Sequence, residues 1–355
     1  MISVGEKGKI MEYGLLTLRL RFRLIVALLV CSLAGCGSGE SVLPDAAPGT
    51  EPDLGEPVTL AFNLYSAALT RADGAGTTST TEDMAVGKTF RIYAFTAGAV
   101  NFGAPLDSRV YTVQESETTP GSPGKATGNL TLYRGTYDLY LVSYNSSTEV
   151  PELSTDGSFT VGNGRDFMYT KMEGIVVQPD KTGENTMLVS LPRPFTRMGA
   201  RVVTTVQTKN GTQPVPVTSL KANWIRIKGL AETLTYKLGN TAWEPASGYN
   251  SSFTFDKFTR ETVSKPWISE AQVVLPVDGS QMLDFEVNLT VRYNEGADSY
   301  TGSFPASIQK VLLPGMTYQF DFSLTFYGVL KPSDLTLAVK EYDTVDLSSD
   351  GLGGD

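Results

Sequence analysis

The sequence predicts an all-β protein built from β-sandwich domains, on three observations. Apolar and polar residues alternate with period two through many short segments. Turn residues separate those segments at the close spacing typical of sandwiches. No convincing amphipathic helix exceeds two turns, although residues 261–270 could hold a short one. The composition, with 35 Gly, 19 Pro, 16 Tyr and 16 Phe, suits a β protein with many turns. A chain of 355 residues is too long for one small sandwich and suits two domains.

The first element is a leader. Arg19, Arg21 and Arg23 precede an apolar run over 24–33 that is too short to span a bilayer. Leu33, Ala34 and Gly35 then lead directly into Cys36. A basic region, an apolar region and small residues before a cut make a secretory signal. The cysteine immediately after Leu-Ala-Gly makes it a bacterial lipobox; the alternative is an ordinary signal in which the cysteine is incidental. Residues 1–35 are therefore expected to be removed, and the Cys36 thiol acylated so that outer-membrane lipid holds the chain. A start at Met11 would give the leader a more usual length. Residues 36–56, rich in Gly, Ser, Pro and acids, read as a flexible tether.

From there the pattern is β. Residues 58–65 alternate, placing Val58, Leu60, Phe62 and Leu64 on one face. Residues 72–83, mostly Gly, Thr, Ser, Asp and Ala, read as a loop. Further strands are predicted over 89–95, 109–113, 129–133, 137–144, 158–161, 167–171, 175–178 and 186–191. Pro192 and Pro194 interrupt the pattern and set the boundary between an N-terminal domain, 57–192, and a C-terminal domain, 193–332. The second set of strands runs over 200–208, 217–228, 233–238, 252–255, 272–277, 284–293, 300–307, 317–327 and 335–342, the last within a tail, 333–355.

Composition narrows the chemistry. The chain has no histidine, and its two cysteines, Cys31 and Cys36, both belong to the leader. Serine–histidine and cysteine–histidine hydrolysis and histidine- or cysteine-ligated metal are thereby excluded. Carboxylate-only hydrolysis survives in principle, but no pair of acids is marked. No enzyme, cofactor or metal is expected. The leader carries five Lys/Arg and two Asp/Glu, a net +3, so the chain's −9 leaves the remainder near −12. Such an acidic surface argues against nucleic acid as a partner.

Several segments together resemble the fimbrillins, the major and minor fimbrial subunits of the Bacteroidales. They are the lipobox, then Leu69-Thr-Arg-Ala72 before a small-residue loop, and Phe90-Arg-Ile-Tyr-Ala-Phe95. Leu132-Tyr-Arg-Gly-Thr-Tyr-Asp-Leu-Tyr140, Gly164-Arg-Asp-Phe-Met-Tyr169 and Pro194-Phe-Thr-Arg-Met-Gly-Ala-Arg-Val202 follow in order. Leu313-Pro-Gly-Met-Thr-Tyr-Gln-Phe-Asp-Phe322 completes the set. The resemblance implies two tandem transthyretin-like β-sandwiches and a pilus assembled at the cell surface. It further implies that an arginine-specific protease cuts between Arg71 and Ala72, releasing the first strand. The vacated groove would then accept a strand from another pilin subunit. Proteolysis in an exposed small-residue loop fits this scheme.

Losing Val58, Leu60, Phe62 and Leu64 would forfeit on the order of 6–12 kcal/mol, at roughly 1.5–3 kcal/mol per large apolar side chain. That is comparable with a domain's whole stability and drives recruitment of a replacement strand. The candidate donor is the tail, where Leu335, Leu337 and Val339 share one face. The alternative is that both segments are ordinary terminal strands of their own domains. The acidic, glycine-rich end of the tail also fits a tip, accessory or anchor subunit. Adhesion to a host or bacterial surface receptor, not identifiable from sequence, is the expected output. A second reading is a tethered glycan-binding lipoprotein using Trp243 and Trp267, which flank turns, with Trp224 in the core. Asp346, Asp350 and Asp355 lack the spacing of a calcium loop. The stretch 162–166, Gly-Asn-Gly-Arg-Asp, has no helix behind it to make a phosphate cradle.

Overall fold

The computed structural model describes residues 55–63, 84–180, 183–191, 195–209, 217–277, 281–293, 299–326 and 332–343. Every regular element among them is a strand. The first are β1 (Val58–Asn63), β2 (Thr89–Thr96), β3 (Asp107–Glu115), β4 (Pro123–Thr127) and β5 (Thr131–Leu132). They are followed by β6 (Gly135–Ser143), β7 (Ser158–Gly162), β8 (Met168–Val177), β9 (Thr186–Ser190) and β10 (Thr196–Arg197). Next come β11 (Ala200–Thr208), β12 (Val217–Leu230), β13 (Thr233–Lys237), β14 (Ser251–Phe255) and β15 (Phe258–Thr259). The last are β16 (Trp267–Ser269), β17 (Gln272–Val274), β18 (Met282–Tyr293), β19 (Ser299–Gln309), β20 (Met316–Phe326) and β21 (Pro332–Asp343).

Nine strands form the first sheet, in the order β10-β8-β6-β2-β3-β4-β1-β5 with β9 also on β1. A six-stranded sheet, β15-β16-β11-β20-β21 with β17 on β11, faces a four-stranded sheet, β14-β12-β18-β19. Their inner faces supply one core, in which Phe285 of β18 lies 4.8 Å from Phe320 and 5.3 Å from Phe322 of β20, ring centre to ring centre. This is the face-to-face packing of a β-sandwich. The burial of β20 alternates from Phe320 to Phe326, as a strand with one face on a core must.

The nine-stranded sheet curls around a second core containing Val58, Leu60, Phe62, Phe90, Tyr111 and Leu139. A third core draws from both sides of residue 192: Tyr93, Phe95, Phe159 and Phe167 pack with Met198, Leu234, Tyr236 and Leu275. Over this cluster β7 pairs with β13, Val161 opposite Leu234. Asn163 ties the same join, its Nδ2 donating to the Ala231 carbonyl and its Oδ1 accepting from Leu275 N–H. Arg197 grips Asp166 through two bonds of 2.6 and 2.8 Å. The glycine-rich stretch 162–166 is thus a structural tie. All described residues fall in one compact unit, Leu54–Asp355.

The sequence reading and the structure differ at identifiable places. Residues 261–270 form turns and β16 instead of a helix. The separate strands predicted over 167–171 and 175–178 are one strand, β8, which passes Gly174 at φ 67°. A β-bulge lies there, with register shifting between Tyr137 and Leu139 of β6. β4 escapes the alternation rule because it begins Pro-Gly. Gly124 is needed there, since a Cβ would come within 2.8 Å of the Ser116 Cα.

Candidate strand-exchange site

β1 lies inside its sheet. On one side it runs antiparallel to β5, Val58 opposite Leu132, and to β4, Phe62 opposite Ala126. On the other it runs parallel to β9, from Thr59 opposite Thr186 to Asn63 opposite Ser190. Thr59 N–H donates to the Asn185 carbonyl at 2.8 Å, and Leu191 N–H donates to the Asn63 carbonyl. Val58, Leu60 and Phe62 have no solvent exposure. The local reason is the uninterrupted alternation of Val-Thr-Leu-Ala-Phe-Asn, which turns every second side chain inward. Leu64, the fourth residue expected on that face, lies outside the described residues, as do Cys36, Arg71 and Ala72.

One residue not singled out from sequence sits against this strand. Tyr111 of β3 is fully buried, and its ring meets Phe62 edge-on with ring centres 5.2 Å apart. Its hydroxyl donates to the Leu60 carbonyl at 2.6 Å and accepts from Leu130 N–H at 3.1 Å. Burial pushes this phenol up to about 12. A tyrosine on a strand looks like core in any sequence, so only the fold reveals this contact.

The candidate donor occupies an edge. β21 pairs antiparallel with β20, setting Leu335 opposite Leu324, Leu337 opposite Phe322 and Val339 opposite Phe320. All three side chains are half-buried against the core between the six- and four-stranded sheets, while Thr336, Ala338 and Lys340 face outward. β21 therefore pairs with its own chain in this structure. The structure does not bring β1 and β21 together: they belong to different sheets.

The tryptophans are arranged otherwise than the glycan reading requires. Trp243 donates its indole N–H to the Met198 carbonyl at 2.7 Å and packs against Phe167 and Tyr236. Trp267 donates to the Leu220 carbonyl at 2.6 Å and packs on the core. Trp224, expected inside, is half-buried beneath the Arg226 guanidinium. A cleft of about 670 Å³ does open beside Asp138, Lys171 and Lys237. Its charges already have partners: Asp138 accepts from Gly98 and Gly174 N–H, Lys171 pairs with Glu173, and Lys237 with Glu244.

Comparison with known proteins agrees with this architecture. The fimbrillin-like family profile matches residues 51–328, and the chain belongs to that family. The fold is similar to that of a candidate cell adhesion protein from Bacteroides fragilis. That likeness has 17% identity and a TM-score of 0.52, and covers 82% of this chain and 99% of that one. A fimbrial assembly protein from Parabacteroides distasonis is similar at 15% identity and TM-score 0.40, covering 80% of this chain and 94% of that one. The fimbrial anchor protein Mfa2 from Porphyromonas gingivalis is similar at 11% identity and TM-score 0.40, covering 81% and 98%. No curated protein sequence matches.

Proposed function

We propose that the chain is a structural subunit of a bacterial surface fimbria and contributes to adhesion. It is assembled by exchange of one β-strand after proteolysis. The observation that carries this reading is the position of β1. It is an interior strand bearing three fully buried side chains, and Arg71 follows Asn63 by eight positions in the sequence. Cleavage between Arg71 and Ala72 would leave β1 held only by noncovalent contacts. Its departure would open a groove between β9 and the β4–β5 side. The filling strand would come from a neighbouring subunit, with Leu335, Leu337 and Val339 in the places of Val58, Leu60 and Phe62.

In this reading Cys36 carries the lipid that holds the precursor at the outer membrane. An arginine-specific protease then arms it. In the same reading, 57–192 and 193–332 are two sandwiches joined by the shared core, with 333–355 as the exchangeable tail. Membership of a structural family and the absence of histidine from the chain both speak against catalysis. The packing of Trp243 and Trp267 disfavours a stacking platform for sugar, so strand exchange is preferred over a glycan-binding lipoprotein.

Limited trypsin digestion of the folded protein lacking residues 1–35 tests this reading, with mass spectrometry and size-exclusion chromatography of the products. A cut after Arg71, loss of the fragment containing β1 and growth of oligomer ladders are expected. A cut that yields only monomers overturns it.

A further inference from the structure

We infer that Tyr111 hydrogen-bonds whatever strand fills the β1 groove, its hydroxyl standing in for a missing backbone contact. The inference deepens the strand-exchange reading and rests on it. Its basis is a break in the ladder beside β1. From Val58 opposite Leu132 to Phe62 opposite Ala126, the partner side advances two residues more than β1 does. At the break, Leu60 N–H donates to the Leu130 carbonyl at 2.9 Å, as an antiparallel pair should. The return bond, from Leu130 N–H to the Leu60 carbonyl, is interrupted by the Tyr111 hydroxyl, which accepts from the first and donates to the second. The ring fits only because residue 128 is glycine: a Cβ there would lie 2.6 Å from it.

Such an inserted hydroxyl meets a strand carbonyl only in every second register. A strand displaced by one residue turns its apolar side chains outward and its central carbonyl toward β9. A displacement by two residues keeps the alternation and offers another carbonyl to the same hydroxyl, so the inward side chains choose among these registers. In the native one the Phe62 and Tyr111 ring centres are 5.2 Å apart. The occupant that fits is an extended segment of a second copy of this chain, running parallel to β9, with the Leu337 carbonyl accepting from Tyr111. That segment presents Val339 where β1 presents Phe62, so it fills the site less completely. The intact chain's own strand is then the better occupant until proteolysis removes it.

The test uses trypsin-cut protein stripped of its β1 fragment and synthetic peptides of residues 332–343. One peptide is unmodified; the other carries a thioamide at Leu337, whose sulfur is a weak acceptor. Wild type should bind the thioamide peptide about tenfold more weakly than the unmodified one. Tyr111→Phe should bind both equally, at the weaker level. Equal losses on both proteins, or no loss on wild type, overturn the inference and leave strand exchange standing. Failure of the unmodified peptide to enter cut wild type overturns both. A measurement on wild type alone guards against misfolding of Tyr111→Phe: a Val339→Phe peptide should bind about tenfold more tightly, and no gain overturns the inference.

Discussion

Single side chains in this protein carry consequences set by what surrounds them. Phe62 contacts the Tyr111 ring within a core that also holds Phe90 and Val113. Phe62→Ala should lower the stability of the intact chain by about 3–5 kcal/mol, read as a shift in urea midpoint. A loss below about 1 kcal/mol would mean that the groove collapses around the void. Asp166 and Arg197 are each only about 15% exposed at the side chain. Asp166→Ala should cost about 3 kcal/mol because it removes a bidentate carboxylate from a largely buried guanidinium, whereas an apolar pair at both positions should be close to neutral. Urea unfolding of the single and double variants separates these outcomes. The inward face of β1 was legible from alternation alone. The role of Asp166 was not, because its partner lies 31 positions away.

Elements differ in how firmly they are held. β1 has neighbours on both sides and three fully buried side chains, whereas β21 has one paired neighbour and three half-buried side chains. The edge strand is the easier to detach without opening a core, which suits it to be the one donated. Truncation before Pro332 should leave the intact chain folded but less stable. It should also abolish oligomer ladders after cleavage, as read by size-exclusion chromatography. Ladders that persist would show that another segment fills the groove. Long alternating strands such as β18 and β20 could be read from sequence because each faces one core. β10, β15 and β16, of two or three residues, could not, since pairing alone defines them.

At the scale of the whole molecule, the shared core around Phe167 and Tyr236 joins the segments on either side of residue 192. Chemical unfolding should therefore be a single transition, followed together by tryptophan fluorescence and far-ultraviolet circular dichroism. Two separated transitions would show that the halves unfold independently. Alkali should act on both halves, because burial raises Tyr111, Tyr140 and Tyr236 to about 12. In the unfolded chain these phenols lose their protons near pH 10, while the folded protein keeps them. Folding stability is thus intact below about pH 10 and falls as pH rises from there to 12. Denaturation midpoints unchanged across that interval would contradict the burial of these hydroxyls.

The sequence by itself determined the all-β class, the inward faces of β1 and β21, and the chemistry closed to a chain without histidine. These follow from local rules: side-chain period along a strand, turn chemistry, and the residues present or missing. Tertiary structure alone decided that β1 is interior and β21 an edge. It also decided that Trp224 is only half-buried while the indoles of Trp243 and Trp267 are tied to backbone carbonyls, and that a tyrosine from β3 enters the ladder beside β1. Each depends on which distant strands become neighbours, a choice made by the packing of whole sheets and invisible to a pattern read along one segment.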